Sequence, residues 1–436
     1  KIPLLSSRVE EFARESAKAV RLQTLYKVGK GDAKTRLEFA RFLHKQVAVR
    51  NAQLCKELRL LPWDLGETRG VAKVIDCFSA YVDHLAEFPT PQTLEDNERF
   101  TKLLEDILED HTEVVKSLGD GVLEVRGQIG AQAYENIRFE MDEFLDRFFM
   151  KRIGLRFLIQ HHIEAAKAKP GGSGIIHNNV RVGPILRSCA SAAQVVCKEI
   201  YGHAPEVEVL GDGSGVGGIR GLGFGSSLSE NLDLSYNRPF TYVPIHLEFS
   251  CSVLLQNACF AVAEKYGKVA KLPPVKAIFA YGEEEVTVKI SDQGGGVSQD
   301  DISYAWSYFS TPGGSDVELG RGRRHSAPLD PNKVSGAGLP LARLHARYYG
   351  GDLMLKPIQG FGTDAYLVLN RLGDNCENLP HGVRVSPASR ESSAGDVAFI
   401  GMEALGDLTK PEAAYLRQQL KTFRAKRSLD SVFAAP

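Results

Sequence analysis

The strongest constraint on this chain is a change of periodicity and glycine usage near residue 165. Before it, glycines are few and apolar residues recur at three- and four-residue steps; after it, β-branched runs alternate with helical ones and glycine-rich loops. A sustained helical period with few breakers predicts helices packed side by side. In 37–61, Phe39, Phe42, Leu43, Val47, Val49, Leu54 and Leu58 mostly keep that step. Stretches 75–88 and 100–115 read alike, and 144–162 sets Phe144, Phe148, Leu155 and Leu158 on one stripe. Four such helices with short connections predict a four-helix bundle. Pro62 closes one helix, and Pro89 and Pro91 mark one connection.

In the second half, 169–174 (KPGGSG) reads as a turn or linker. Segment 207–210 predicts a strand and 244–264 a helix; 275–280 and 285–291 predict a hairpin turning at 281–284. A helix over 339–349 is followed by a second strand pair, 351–357 with 363–369. That order favours an α+β architecture, with helices on one face of a mixed or antiparallel sheet. Beyond residue 371, 380–396 reads as a polar surface loop and 409–429 as a helix with Thr409 as cap and Pro411 in its first turn.

Composition excludes several classes. Of 436 residues, 43% are apolar and 25% charged, and the formal net charge is −1. That balance gives no reason to expect nucleic acid or an anionic membrane as main partner. Seven scattered cysteines without a C-x-x-C pair argue against a disulfide framework and a zinc site, and for a reducing compartment. No apolar run in the sequence approaches the roughly 20 residues of a membrane span.

Three features carry chemistry. Asn257 lies on the 244–264 helix; Asp292-Gln293-Gly294-Gly295-Gly296 follows the strand 286–290; Gly336-Ala337-Gly338-Leu339-Pro340 opens the helix 339–349. A carboxylate at a strand end, followed by glycines, can accept from an amino group while the bare backbone lets a flat ring approach. A Gly-x-Gly turn at a helix start presents unpaired N–H groups and a favourable dipole to phosphate. An amide oxygen suits magnesium, which prefers oxygen ligands and keeps several waters. Taken singly, each is an ordinary turn, cap or helix polar residue. In this order, the three resemble the Asn, DxGxG and GxG boxes of the ATPase superfamily that contains histidine kinases, heat-shock chaperones and DNA gyrase.

The resemblance narrows. RFFMKRIGLRFLIQHHI (147–163), KISDQGGGV (289–297), YFSTP (308–312), GAGLPLARLHARYYGGDLML (336–355) and GFGTDAYL (360–367) are similar to the mitochondrial kinases of pyruvate and branched-chain 2-oxoacid dehydrogenases. So are VAVRNAQLCKEL (47–58) and HTEVVKSLGDGVLE (111–124), and the likeness spans roughly 15–372. YFSTP and GTDA lean toward the pyruvate dehydrogenase kinases. The resemblance implies a helical regulatory and docking domain over 1–168, an α/β-sandwich ATP-binding kinase domain with a mixed sheet over 176–372, and a C-terminal loop-and-helix extension over 373–436. Asp292 would hold the adenine amino group, supported by Thr363 through water, with Gly294 and Gly296 beside it. Asn257 would bind Mg2+. Ser310 and Thr311 would begin a lid running to residue 335, and Gly336, Ala337, Gly338 and Leu339 would wrap the triphosphate. His162 would orient the catalytic carboxylate. It also implies ATP and Mg2+ as cofactors, the mitochondrial matrix as location, and a 2-oxoacid dehydrogenase complex as partner, through its decarboxylase component and lipoyl-domain core. A homodimer or a heterodimer with a kinase paralogue is implied as well.

The pattern breaks at one point. The family's Asn box reads Glu-x-x-Lys-Asn, its Glu acting as general base; here it reads Val253-Leu254-Leu255-Gln256-Asn257. Glu248, nine residues before Asn257, falls on the opposite helix face at about 100° per residue. The family's Asp-Trp tail is also missing, since the tryptophans are Trp63 and Trp306. Two readings follow: a protein-serine kinase of the decarboxylase component, or a catalytically weak ATP-binding subunit that supports an active paralogue. A two-component histidine kinase is a distant third, for want of a phosphoacceptor dimerisation helix.

Overall fold

The computed structural model describes residues 5–61, 63–167, 172–211, 240–267, 271–282, 284–298, 301–309, 336–371 and 376–380. Residues Lys1–His381 form one compact unit. The expected 380–396 loop and 409–429 helix lie outside the described residues, apart from Pro380.

The architecture is α+β, a helical part followed by a layered helix-and-sheet part. The helical part contains α1 (Ser7–Arg14), α2 (Leu22–Lys30), α3 (Ala33–Arg59), α4 (Arg69–Glu87), α5 (Leu94–Asp110), α6 (Val114–Ile129) and α7 (Ala131–Ala165). Asp32 caps α3 by accepting from Thr35 N, and Thr93 with Asp96 forms a reciprocal capping box on α5. α3 packs on α4 and α7, α4 on α6, and α5 and α6 on α7. Phe78, Phe100, Phe148 and Leu158 are fully buried in the shared core.

The sequence leads one to expect a single helix over 100–115, and the structure divides it. α5 ends at Asp110, a 3-10 turn occupies His111–Glu113, and α6 continues from Val114. The cause lies on α7, where Arg152 Nη2 donates to His111 O (2.6 Å) and Arg156 Nη1 to Leu108 O (3.1 Å). Cations that satisfy the last carbonyls of a helix stabilise its end. α7 itself is a 35-residue rod, longer than its 144–162 stripe suggests. α1 and α2 were not legible as helices.

The second part opens with a hairpin, β1 (Gly172–Ser173) and β2 (Ile176–His177), where the sequence suggested only a turn. Then come α8 (Val182–Tyr201), β3 (Val207–Leu210), α9 (Pro244–Tyr266), β4 (Val275–Tyr281), β5 (Glu285–Ser291), α10 (Gly338–Arg347), β6 (Asp352–Ile358) and β7 (Gly362–Asn370). The five-stranded sheet has order β3-β4-β5-β7-β6; β3 runs parallel to β4 and the other pairs are antiparallel. Burial alternates along β4 and β5, the mark of a sheet covered on one face. α8, α9 and α10 supply that cover.

α9 is the hub of this layer. By length and composition it could cross a bilayer, more than the sequence reading allowed, yet 67% of that stretch is buried within the protein. Its apolar character serves packing on α8 and the sheet.

Candidate functional site

β5 delivers Asp292 to the edge of the glycine turn. Asp292 N donates to Thr363 O (3.0 Å), extending the β5–β7 ladder by one residue. Its Oδ1 accepts from Gly294 N (2.7 Å) and Thr363 N (3.3 Å). The described bonds therefore load one carboxylate oxygen and leave Oδ2 as acceptor. At 8% exposure, burial pushes the Asp292 carboxyl above its ordinary range, opposed by the two N–H donors.

The glycines are dictated by proximity. A Cβ on Gly294 would collide with Ala261 Cβ and lie 2.7 Å from the Ala261 carbonyl carbon. Gly296 has φ +67°, and a Cβ there would lie 2.8 Å from Gly362 O. Gly362 in turn abuts Asp292 O, with 2.8 Å from its would-be Cβ to Gln293 Cα. Gly295 N donates to Phe361 O (3.0 Å) and Gly360 N to Gly295 O (2.7 Å). Lys265, at the end of α9, bonds the carbonyls of Gln293 (3.2 Å), Gly360 (3.0 Å) and Phe361 (3.2 Å). Sequence reading missed Lys265; its spacing of four from Ala261 and eight from Asn257 was the available signal.

The third side of the site is the face of α9. Val253, Asn257 and Ala261 lie one turn apart. Ala261 meets Gly294, and Val253 meets the other turn, its Cγ1 3.2 Å from where a Gly338 Cβ would stand. Asn257 thus lies on the face that runs from one glycine turn to the other. Its side-chain amide is half-buried and has no partner among the described residues, which fits an oxygen ligand for a divalent cation held mainly by phosphate. Among the described residues no group of three or more His, Cys, Asp or Glu could hold a metal. Ala337 caps α10, with no side-chain cap, and Gly338 and Leu339 begin it, which leaves first-turn N–H groups without intrahelical acceptors.

Gln256, which the resemblance sets where the family carries lysine, is buried, and its Nε2 has no partner among the described residues. Glu248 is exposed and lies across the helix from Asn257. No carboxylate occupies the Val253 position. Ser310 and Thr311, and the expected lid over 311–335, lie outside the described residues.

His162 lies near the end of α7. Its ring lies between Phe39 (6.1 Å) and Phe100 (6.0 Å), and Nε2 is 3.1 Å from Thr101 Oγ1. Burial pulls its pKa down to about 4, so it is neutral inside the helical part. These contacts do not bring it together with Asp292, Asn257 and the glycine turns.

The YFS segment before residue 310 is tied to α7. Asp142 accepts from Tyr308 N (3.0 Å) and Ser307 Oγ (2.6 Å), and Asp146 from Tyr308 OH (2.7 Å). Phe309 N then donates to Gly336 O (2.9 Å), closing the two roots of 310–335 on each other.

The family described as mitochondrial branched-chain alpha-ketoacid dehydrogenase kinase matches residues 19–180. The chain is 33% identical over 348 residues to a mitochondrial pyruvate dehydrogenase (acetyl-transferring) kinase of Arabidopsis thaliana, covering 78% of this chain and 87% of that protein. It is 32% identical over 347 residues to the Drosophila melanogaster protein of that name, covering 78% of each. Against human isozyme 4 the identity is 30% over 387 residues, covering 86% of this chain and 87% of the relative. The chain belongs to the family of mitochondrial pyruvate dehydrogenase kinases.

Proposed function

We propose that this chain binds Mg-ATP and acts as a protein-serine kinase on the decarboxylase component of a mitochondrial 2-oxoacid dehydrogenase complex, pyruvate dehydrogenase first among them. The observation that carries the reading is the interlocked floor of Asp292, Gly294, Gly362 and Thr363, continued by the α9 face to the Gly336–Leu339 turn. Asp292 Oδ2 accepts the adenine amino group; Gly294 and Gly296 let the ring approach; Thr363 supports the contact through water. The first-turn N–H groups at Ala337, Gly338 and Leu339 hold phosphate oxygens. Mg2+, held by Asn257 and the phosphates, would supply charge neutralisation at the transferred group. The 1–168 part serves regulation and docking on the lipoyl core, and 176–372 is the kinase part. The matrix is the location that such a substrate requires.

The open face of the sheet supports the dimer. Ile278, Lys289, Tyr366 and Met354 are neighbours across β4, β5, β7 and β6, with the Lys289–Asp364 ion pair (2.7 Å) beside them. A row mixing apolar groups with both charges suits a second chain of the same fold.

Val253 favours a second reading. An apolar side chain stands against Gly338 where a general base belongs, and loss of such a base costs about 10²–10⁴ in rate. In that case the chain is the nucleotide-binding, catalytically weak partner of an active paralogue. Phosphate incorporation into purified decarboxylase component separates the two. The kinase reading predicts turnover by the chain alone. Incorporation only when an active paralogue is added overturns it in favour of the second.

A further inference from the structure

We infer that Asp142, on α7 of the helical part, is a positioning residue for the phosphate turn, acting through the strut Ser307-Tyr308-Phe309. The inference deepens the proposed function and rests on Gly336–Leu339 being that turn. Asp142 touches no residue of the turn. Its two oxygens accept from Ser307 Oγ and Tyr308 N, while Tyr308 OH is held by Asp146 and its ring stacks on Phe149 at 5.2 Å. Arg138 is 2% exposed; it bonds Ser307 Oγ, bonds Ser303 Oγ at 3.2 Å, and pairs with Glu135 at 2.9 Å. Ser307, Tyr308 and Phe309 are all buried.

The end of the strut is strained. Phe309 has φ +56° and Gly336 φ +88°, and a non-glycine residue in that region costs about 1 kcal/mol or more unless its surroundings fix it. What fixes Phe309 is the pair of bonds on the preceding residue, both made to α7. In this conformation Phe309 N–H reaches Gly336 O at 2.9 Å, one residue before the first N–H groups of α10. The path from Asp142 to the turn is therefore Tyr308 N–H, one peptide step, and Phe309 N–H. A spacer would need no such precision; the carboxylate sets where the backbone of Gly336 lies.

The test uses the full chain and two ligands. Mg-ATP reports the phosphate turn plus the adenine floor, and adenosine reports the adenine floor alone. Asp142→Ala is expected to weaken Mg-ATP about tenfold, as a turn competent one-tenth of the time requires, with adenosine affinity unchanged. Asp142→Asn keeps an acceptor for Tyr308 N–H and should fall between. Should the alanine variant not fold, Asp142→Asn and Tyr308→Phe carry the same comparison, each weakening Mg-ATP but not adenosine. Unchanged Mg-ATP affinity in these variants, or equal loss of both ligands, overturns the inference. A wild-type chain that binds adenosine as tightly as Mg-ATP instead removes the phosphate-turn reading itself, and the inference with it.

Discussion

At the scale of the residue, the decisive position is Val253. It occupies the turn of α9 next to Asn257 and faces Gly338, so the proposed site carries an apolar side chain at this point. Gln256, three residues on, adds a buried amide donor with no partner among the described residues, and an unmet donor costs about 1–3 kcal/mol. Restoring the family's pair, Val253→Glu with Gln256→Lys, should raise phosphate transfer to the decarboxylase component by about 10²-fold. Neither change costs helix propensity. A single-turnover assay checks it; an unchanged rate means that the pocket keeps the new carboxyl protonated or that another group is the base. The motif break was legible from sequence because it lies within one five-residue box. The location of His162 was not, because Phe39, Phe100 and Thr101, its actual neighbours, come from two other helices.

At the scale of the element, glycine at Gly294 and glycine at Gly127 do opposite things. Gly294 must be bare for the turn after β5 to pass under α9, since a Cβ there meets Ala261. Gly127 lies within α6 with nothing within 4 Å of its would-be Cβ. Gly294→Ala should therefore destabilise by about 1–3 kcal/mol through overpacking and weaken nucleotide binding. Gly127→Ala should stabilise by about 0.5–1 kcal/mol through helix propensity. Thermal unfolding of both variants checks the pair, and equal shifts would contradict the packing account. Strands β3 to β7 were readable because their alternation and bounding glycines are local signals. The break between α5 and α6 was not, because the arginines that satisfy its carbonyls sit on α7, more than forty residues on in sequence. The tie between Asp142 and Tyr308 escapes sequence reading for the same reason.

At the scale of the molecule, a segment after the sheet clips the two parts together. Glu377, within 376–380, pairs with Arg50 of α3 at 2.7 Å, both side chains being buried. It also bonds Tyr348 OH at the end of α10 and Val20 N (2.7 Å). Removing one partner of a buried pair leaves an uncompensated charge and costs about 3–5 kcal/mol. Glu377→Ala should accordingly lower the denaturant midpoint strongly, and a midpoint within error of wild type would contradict the clip. Nothing in composition or periodicity announces this pair, whose members are 327 residues apart. The proposed site draws on all three scales at once: a carboxylate at a strand end, glycines under a core helix, and a turn that we infer is held from the helical part. Isothermal calorimetry of Mg-ATP against the full chain and its Asp292→Ala variant tests that account most directly. The account predicts binding by the natural chain and its loss in the variant, because the adenine amino group loses its charged acceptor. Equal affinity in the two proteins would contradict it.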